Sequence, residues 1–201
     1  DGDGALDLYL LTFNSQDQTD RVLHGTGNLG WTWNPVESGA TGLRTGFDAT
    51  WFDWDGDGDL DVYVVQDQGP EWGGNQLLEN RNGVLVDSSE ACACGLEMLA
   101  MGGAAGDFNH DGRADLYLSS TDSNVLLENT PDGSFVDVTQ ALNADPIDEY
   151  WRMGWGGVFA DLDNDGWLDI VSAIGDHWPT HNRDERREAL PPAVLMQQDG
   201  R

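Results

Sequence analysis

The stretch Asp53 to Val64, DWDGDGDLDVYV, decides the fold. It returns as DFNHDGRADLYL at Asp107 to Leu118 and as DLDNDGWLDIVS at Asp161 to Ser172. A fourth version, DGDGALDLYL at Asp1 to Leu10, matches from the third position of the pattern onward. The closing aspartates Asp7, Asp61, Asp115 and Asp169 follow one another at a constant spacing of 54 residues. A fixed period of this order marks a repeat architecture.

The flanks repeat as well. Ahead of the loops stand TGFDATWFD (Thr45 to Asp53), AMGGAAGD (Ala100 to Asp107) and MGWGGVFAD (Met153 to Asp161), all rich in small residues. Behind them, LDLYLL, LDVYVV, ADLYLS and LDIVSA alternate with the period of a half-buried strand. A third strand follows in NQLLEN (Asn75 to Asn80) and NVLLEN (Asn124 to Asn129), with shorter versions at Arg21 to Leu23 and Ala193 to Met196. The turns Asn82-Gly83 and Pro131-Asp132-Gly133 then lead to a fourth strand at Val84 to Ser88 and Phe135 to Thr139.

Four antiparallel strands per repeat predict an all-β chain of β-propeller blades. The approximate blades are 1–40 (partial), 41–94, 95–148 and 149–201 (partial), two complete and two incomplete, within a single propeller portion. The small-residue strand suits the innermost position, where neighbouring blades crowd together. Insertions at Asp67 to Gly74 and Asp176 to Pro192 are expected as loops on one face. The chain begins inside a loop and stops at Asp199-Gly200-Arg201, the turn before a last strand, so it reads as part of a longer parent chain with further blades.

Each loop has the form D-x-[DN]-x-D-G-x-x-D. Oxygen side chains at positions 1, 3, 5 and 9 can converge on one point, glycine at position 6 permits the sharp turn, and the carbonyl of position 7 can add an oxygen. The predicted ligands are Asp53, Asp55, Asp57, Asp59 and Asp61 in the second loop. They are Asp107, Asn109, Asp111, Arg113 and Asp115 in the third, and Asp161, Asp163, Asp165, Trp167 and Asp169 in the fourth. The first loop offers Asp1, Asp3, Ala5 and Asp7, its first position being absent. Ala5, Asp59, Arg113 and Trp167 enter through their backbone carbonyls. So many carboxylates repel one another unless a divalent cation neutralises them, and all-oxygen ligation favours Ca²⁺. Three to four calcium ions are expected. An EF-hand would need a glutamate at position 12 and flanking helices, whereas Val64, Leu118 and Ser172 stand there between strands.

Composition narrows the function. The net charge is −28, with 28 Asp, 9 Glu and nine Arg as the only strongly basic residues. Such a chain repels nucleic acid and anionic membrane. No apolar run approaches the ~18 residues that span a bilayer. Nine Trp and ordered alternation argue against disorder. Cys92 and Cys94 are separated by one residue, too close for an easy mutual disulfide, and are expected as free or externally paired thiols. His177 and His181, near Asp176 and Asp184, fall in an insertion with Pro179 between them and read as surface loop. Arg183, Arg186 and Arg187 alternate with acidic residues and read as a solvated segment. Trp54 and Phe108, at loop position 2, are expected as wedges between blades, and His110, at position 4, is expected to face solvent. Trp72 and Trp178 lie in the insertions, where an exposed ring could stack on a sugar or a partner.

The segments MGGAAGDFNHDGRADLYLSS and NVLLENTPDGSFVDVT (Met101 to Ser120, Asn124 to Thr139) and MGWGGVFADLDNDGWLDIVSAIGDHWP (Met153 to Pro179) carry a family likeness. The chain resembles the FG-GAP/VCBS repeat family, whose calcium loops also occur in integrin α-chain propellers. Within that family it is most similar to the ASPIC/UnbV and cartilage-acidic-protein group. The resemblance implies a mostly seven-bladed extracellular, cell-surface or periplasmic propeller with calcium between the first two strands of each blade. It also implies a binding or adhesion scaffold rather than an enzyme, with a protein or glycan as ligand. The alternative is the propeller portion of a secreted lyase or hydrolase acting on polysaccharide or lipid. No nucleophile–base pairing or phosphate-binding loop supports catalysis by this chain.

Overall fold

A computed structural model describes residues 2–13, 20–28, 30–33, 45–147, 152–176 and 192–197. The described chain forms four antiparallel sheets in sequence order. The first contains β1 (Leu8–Leu10), β2 (Arg21–Gly25) and β3 (Trp31–Trp33). The second contains β4 (Gly46–Phe52), β5 (Asp61–Gln66), β6 (Gln76–Asn80) and β7 (Leu85–Asp87). The third contains β8 (Ala100–Gly106), β9 (Asp115–Ser120), β10 (Val125–Asn129) and β11 (Phe135–Asp137). The fourth contains β12 (Arg152–Ala160), β13 (Asp169–Asp176) and β14 (Ala193–Leu195). Within each sheet the strands pair in chain order, so each is a simple meander, and none of the four closes on itself. Two single turns of helix, α1 (Gly69–Trp72) and α2 (Thr139–Leu142), interrupt the connections. The first occupies an insertion expected as loop.

Sheets stack through their faces. β8 lies against β4 on one side and β12 on the other. Glycines on these strands have steric causes. A Cβ on Gly103 would fall 2.9 Å from Val65 of the preceding sheet, and one on Gly157 would fall 2.6 Å from the Tyr117 ring. The small-residue strands therefore belong where one sheet meets the next.

The second strand of each full repeat departs from the half-buried expectation. β5 and β9 are buried at every residue. Val62 and Val64 pack with Val22, Leu78 and Leu85 toward the first sheet, whereas Tyr63 and Val65 pack with Leu116 and Leu118 of the third. Tyr117, on the opposite face of β9, joins Leu126, Ala144 and Ile170 toward the fourth. Alternation along these strands thus separates two buried faces, each covered by a different neighbour.

The cysteine expectation is also corrected: Cys92 and Cys94 form a disulfide with each other. Ala93 between them takes a left-handed φ of 53°, which turns the chain back and brings the two Cα atoms to 5.2 Å. Both cysteines are fully buried. Tyr63 donates its hydroxyl to the Cys94 carbonyl at 2.7 Å, and Phe135 N–H reaches the Cys92 carbonyl at 2.8 Å. The turn is thereby held from the second sheet and from the third.

Candidate metal centre

Each loop sits between a small-residue strand, where that strand is described, and the strand that follows it: β1, β5, β9 or β13. Backbone conformation repeats with the sequence. Positions 4 and 6 are left-handed in all four loops, at Gly2 and Gly4, Gly56 and Gly58, His110 and Gly112, and Asn164 and Gly166. The sequence signals position 6 through its invariant glycine. The need at position 4 is hidden because Gly, His and Asn share the place, although Asn and His are among the non-glycine residues that most often take this conformation.

Carboxylates organise each turn. Asp53 accepts N–H groups from Gly56 at 2.8 Å and Gly58 at 3.1 Å. Asp107 accepts from Asp111 at 3.0 Å and Gly112 at 2.9 Å, and Asp161 accepts from Asp165 at 3.1 Å and Gly166 at 3.0 Å. The third position binds the N–H of the fifth: Asp55 takes Asp57, Asn109 takes Asp111, and Asp163 takes Asp165. These bonds curl the chain so that its oxygens face inward.

The ninth position anchors the loop to the sheet. Asp61 accepts Trp54 N–H and Asn80 N–H, both at 2.8 Å. Asp115 accepts from Phe108 at 3.1 Å and Asn129 at 2.8 Å, and Asp169 accepts from Leu162 and Gln197, both at 2.9 Å. One carboxylate thus joins the start of the loop to the end of the third strand, or to the residues just beyond it. Asp7 does the equivalent with Gly25 N–H at 2.8 Å. Burial pushes the Asp61 carboxyl up to about 6 and that of Asp115 up to about 7, against the pull of their backbone donors and with help from nearby loop carboxylates. Burial, together with Asp57, Glu79 and Asp53, also raises Asp55. A nearby divalent cation would favour the ionised forms and reverse this penalty.

Among the described residues, two loops bring three carboxylates together. Oxygens of Asp53, Asp55 and Asp57 lie within 4.8 Å of one another, as do oxygens of Asp161, Asp163 and Asp169. The donor set is all oxygen and strongly anionic, which fits a hard divalent cation. The third loop differs: Arg113 forms an ion pair with Asp111. In the first loop Asp3 accepts Ala5 N–H at 2.7 Å, and Asp1 lies outside the described residues.

The wedge residues are placed as the sequence implied. Phe108 is buried with Tyr117 and Ile170 between the third and fourth sheets. Trp54 packs on the cluster holding Leu116, Leu127 and Phe135, between the second and third. His110 is exposed, yet its ring stacks on Trp167 at 4.1 Å between centroids and 11° between planes. Positions 4 and 7 of successive loops therefore meet, a contact that no local pattern announces. His177, His181, Asp184, Trp178, Arg183, Arg186 and Arg187 lie outside the described residues, as do the side chains of Asp176 and Trp72.

The FG-GAP-like repeat model matches this chain three times, over residues 1–64, 53–118 and 107–172. Cartilage acidic protein 1 of Xenopus tropicalis is 26% identical over 193 residues, an alignment covering 85% of this chain. The chain spans 29% of that protein's length.

Proposed function

The chain belongs to the FG-GAP-like repeat family, and on that premise we propose that it is a calcium-binding scaffold, built as consecutive β-propeller blades and acting in recognition outside the cell. FG-GAP-like repeats are structural units, which places the chain among scaffolds rather than catalysts. The observation that carries the calcium reading is the convergence of Asp53, Asp55 and Asp57 within 4.8 Å in a loop recurring at a fixed spacing. Asp53, Asp55, Asp57 and Asp61 would hold one ion with the Asp59 carbonyl. Asp161, Asp163, Asp165 and Asp169 would hold another with the Trp167 carbonyl. Asp107, Asn109, Asp111 and Asp115, with the Arg113 carbonyl, form a third and weaker set. Asp1, Asp3, Asp7 and the Ala5 carbonyl complete a fourth. The ion supplies positive charge that lets these carboxylates stay ionised while partly buried.

Apolar outer faces support further blades on either side. Leu8 and Leu10 are 38% and 43% exposed on the first sheet, and Val158 and Val194 are 53% and 45% exposed on the fourth. A propeller blade needs a neighbour on each face, and these residues offer one. Seven blades is the arrangement we favour for the whole ring. Among the described residues no helix is long and apolar enough to cross a membrane. The charge of −28 disfavours nucleic acid, and a protein or glycan ligand fits a scaffold of this kind.

Equilibrium dialysis against buffered calcium, followed by metal analysis, tests the assignment. At least two ions per chain are expected to be retained, with Asp57→Ala and Asp163→Ala each losing one. A chain that retains no calcium would remove the proposal.

A further inference from the structure

We infer that Arg113 acts as a built-in counter-cation in the third loop, so that this loop holds calcium more weakly than the loops at Asp53 and Asp161. The inference rests on the calcium reading and refines it. In these three loops the fifth-position aspartate engages Oδ1 with the N–H of the seventh residue. Asp57 takes Asp59 at 2.9 Å, Asp111 takes Arg113 at 3.0 Å, and Asp165 takes Trp167 at 2.8 Å. Oδ2 is then the oxygen left for a cation. In the third loop it is already in contact with Arg113 Nη2.

The guanidinium is fixed in place rather than loosely attracted. Its Nε donates to the Asn129 carbonyl at 2.8 Å, at the end of β10. The Arg113 and Asp111 side chains are 31% and 25% exposed, so solvent screens the pair only in part. No other loop has a basic residue at position 7, where Ala5, Asp59 and Trp167 stand. Position 3 weakens the third loop further, because Asn109 offers a neutral amide where the second and fourth loops have carboxylates. The same loop also lacks a cluster like those found among the described residues of the other two. Lower ligand charge lowers calcium affinity in loops of this kind.

Calorimetric titration of calcium into the calcium-stripped chain tests this, using the native protein, Arg113→Gln, Arg113→Lys and Asp111→Ala. The glutamine is shorter than arginine, stays polar and removes the charge; the lysine keeps the charge. The native chain should show stronger sites and a weaker third-loop site. Arg113→Gln should tighten the weak site about tenfold, the order expected for removing one partly screened charge at close range. Arg113→Lys should leave it weak, and Asp111→Ala should spare the strong sites. An unchanged isotherm in Arg113→Gln, or loss of a strong site in Asp111→Ala, would overturn the inference while leaving the calcium reading intact. Absence of calcium binding in every variant would defeat the calcium reading and this inference with it.

Discussion

Trp54 donates its indole N–H to the backbone carbonyl of Gly133 over 3.0 Å, tying the acidic loop of the second sheet to the hairpin turn of the third. Asn129 returns a bond from its side-chain amide to the Trp54 carbonyl at 3.0 Å. A loop that could hold a cation is therefore also a joint between repeats. Changes in its charge should be felt in the packing of the next sheet.

Trp54→Phe keeps the ring in the seam and deletes the bond to Gly133. It should cost about 1 kcal/mol, the usual net worth of a hydrogen bond. Trp54→Ala also empties the seam beside Leu116, Leu127 and Phe135 and should cost about 3 kcal/mol. Urea denaturation of both variants checks the order. Equal losses would mean that the indole body contributes nothing to the joint.

Gly157→Ala and Gly156→Ala form a matched pair on β12. A methyl at Gly157 meets Tyr117 at 2.6 Å, and that ring is fully buried with its hydroxyl accepting from Asn124 at 2.8 Å. Overpacking of this kind costs about 1–3 kcal/mol. At Gly156 nothing lies within 4 Å and φ is not left-handed, so alanine there should be neutral or slightly stabilising. Thermal melts that rank the two variants the other way would contradict the stacking of the third and fourth sheets described here.

Much of this was legible from the residues. The 54-residue spacing located the loops, the doubly buried strands and most third and fourth strands, because each repeat carries its own turn residues and alternation. What escaped depends on neighbours. Burial of both faces of β5 requires the first and third sheets, and local alternation cannot distinguish two buried faces from one. The strand Trp31–Trp33, which pairs with the third strand of the first repeat and so takes the fourth-strand place, is hidden because WTW does not match the fourth strands at Val84 and Phe135. The Cys92–Cys94 bond requires the left-handed turn at Ala93, and alanine does not advertise that conformation. Within the loops, ligand types and the glycine at position 6 were evident. The grip of Arg113 on Asp111 was not, because the loop pattern uses position 7 only through its backbone carbonyl and leaves its side chain unconstrained.

Acidity should stabilise the calcium-free protein. Burial raises the folded-state values of Asp61 and Asp115 to about 6 and about 7, above the ordinary 3.8. A carboxyl raised in this way favours folding most below its unfolded value, and that advantage is lost as pH rises through the folded value. The calcium-free melting temperature should therefore climb as pH falls from about 8 toward about 5, and Asp115→Asn should flatten the climb. Calcium should flatten it too, by favouring the ionised carboxylates. A calcium-free melting temperature that falls over this range would show that these buried carboxyls do not control stability.

The most direct measurement of the central claim is the melting temperature of the chain in excess chelator, in calcium and in magnesium. A site filled at 100 times its dissociation constant contributes about 2.7 kcal/mol to the folded state, so two such sites are a large part of the ~5–15 kcal/mol that holds a typical domain together. The account predicts a sharp fall in chelator, full recovery on adding calcium, and a smaller recovery in magnesium, whose smaller ion demands a stricter octahedral site. A melting curve unchanged by chelator, from protein in which no calcium can be detected, would contradict it.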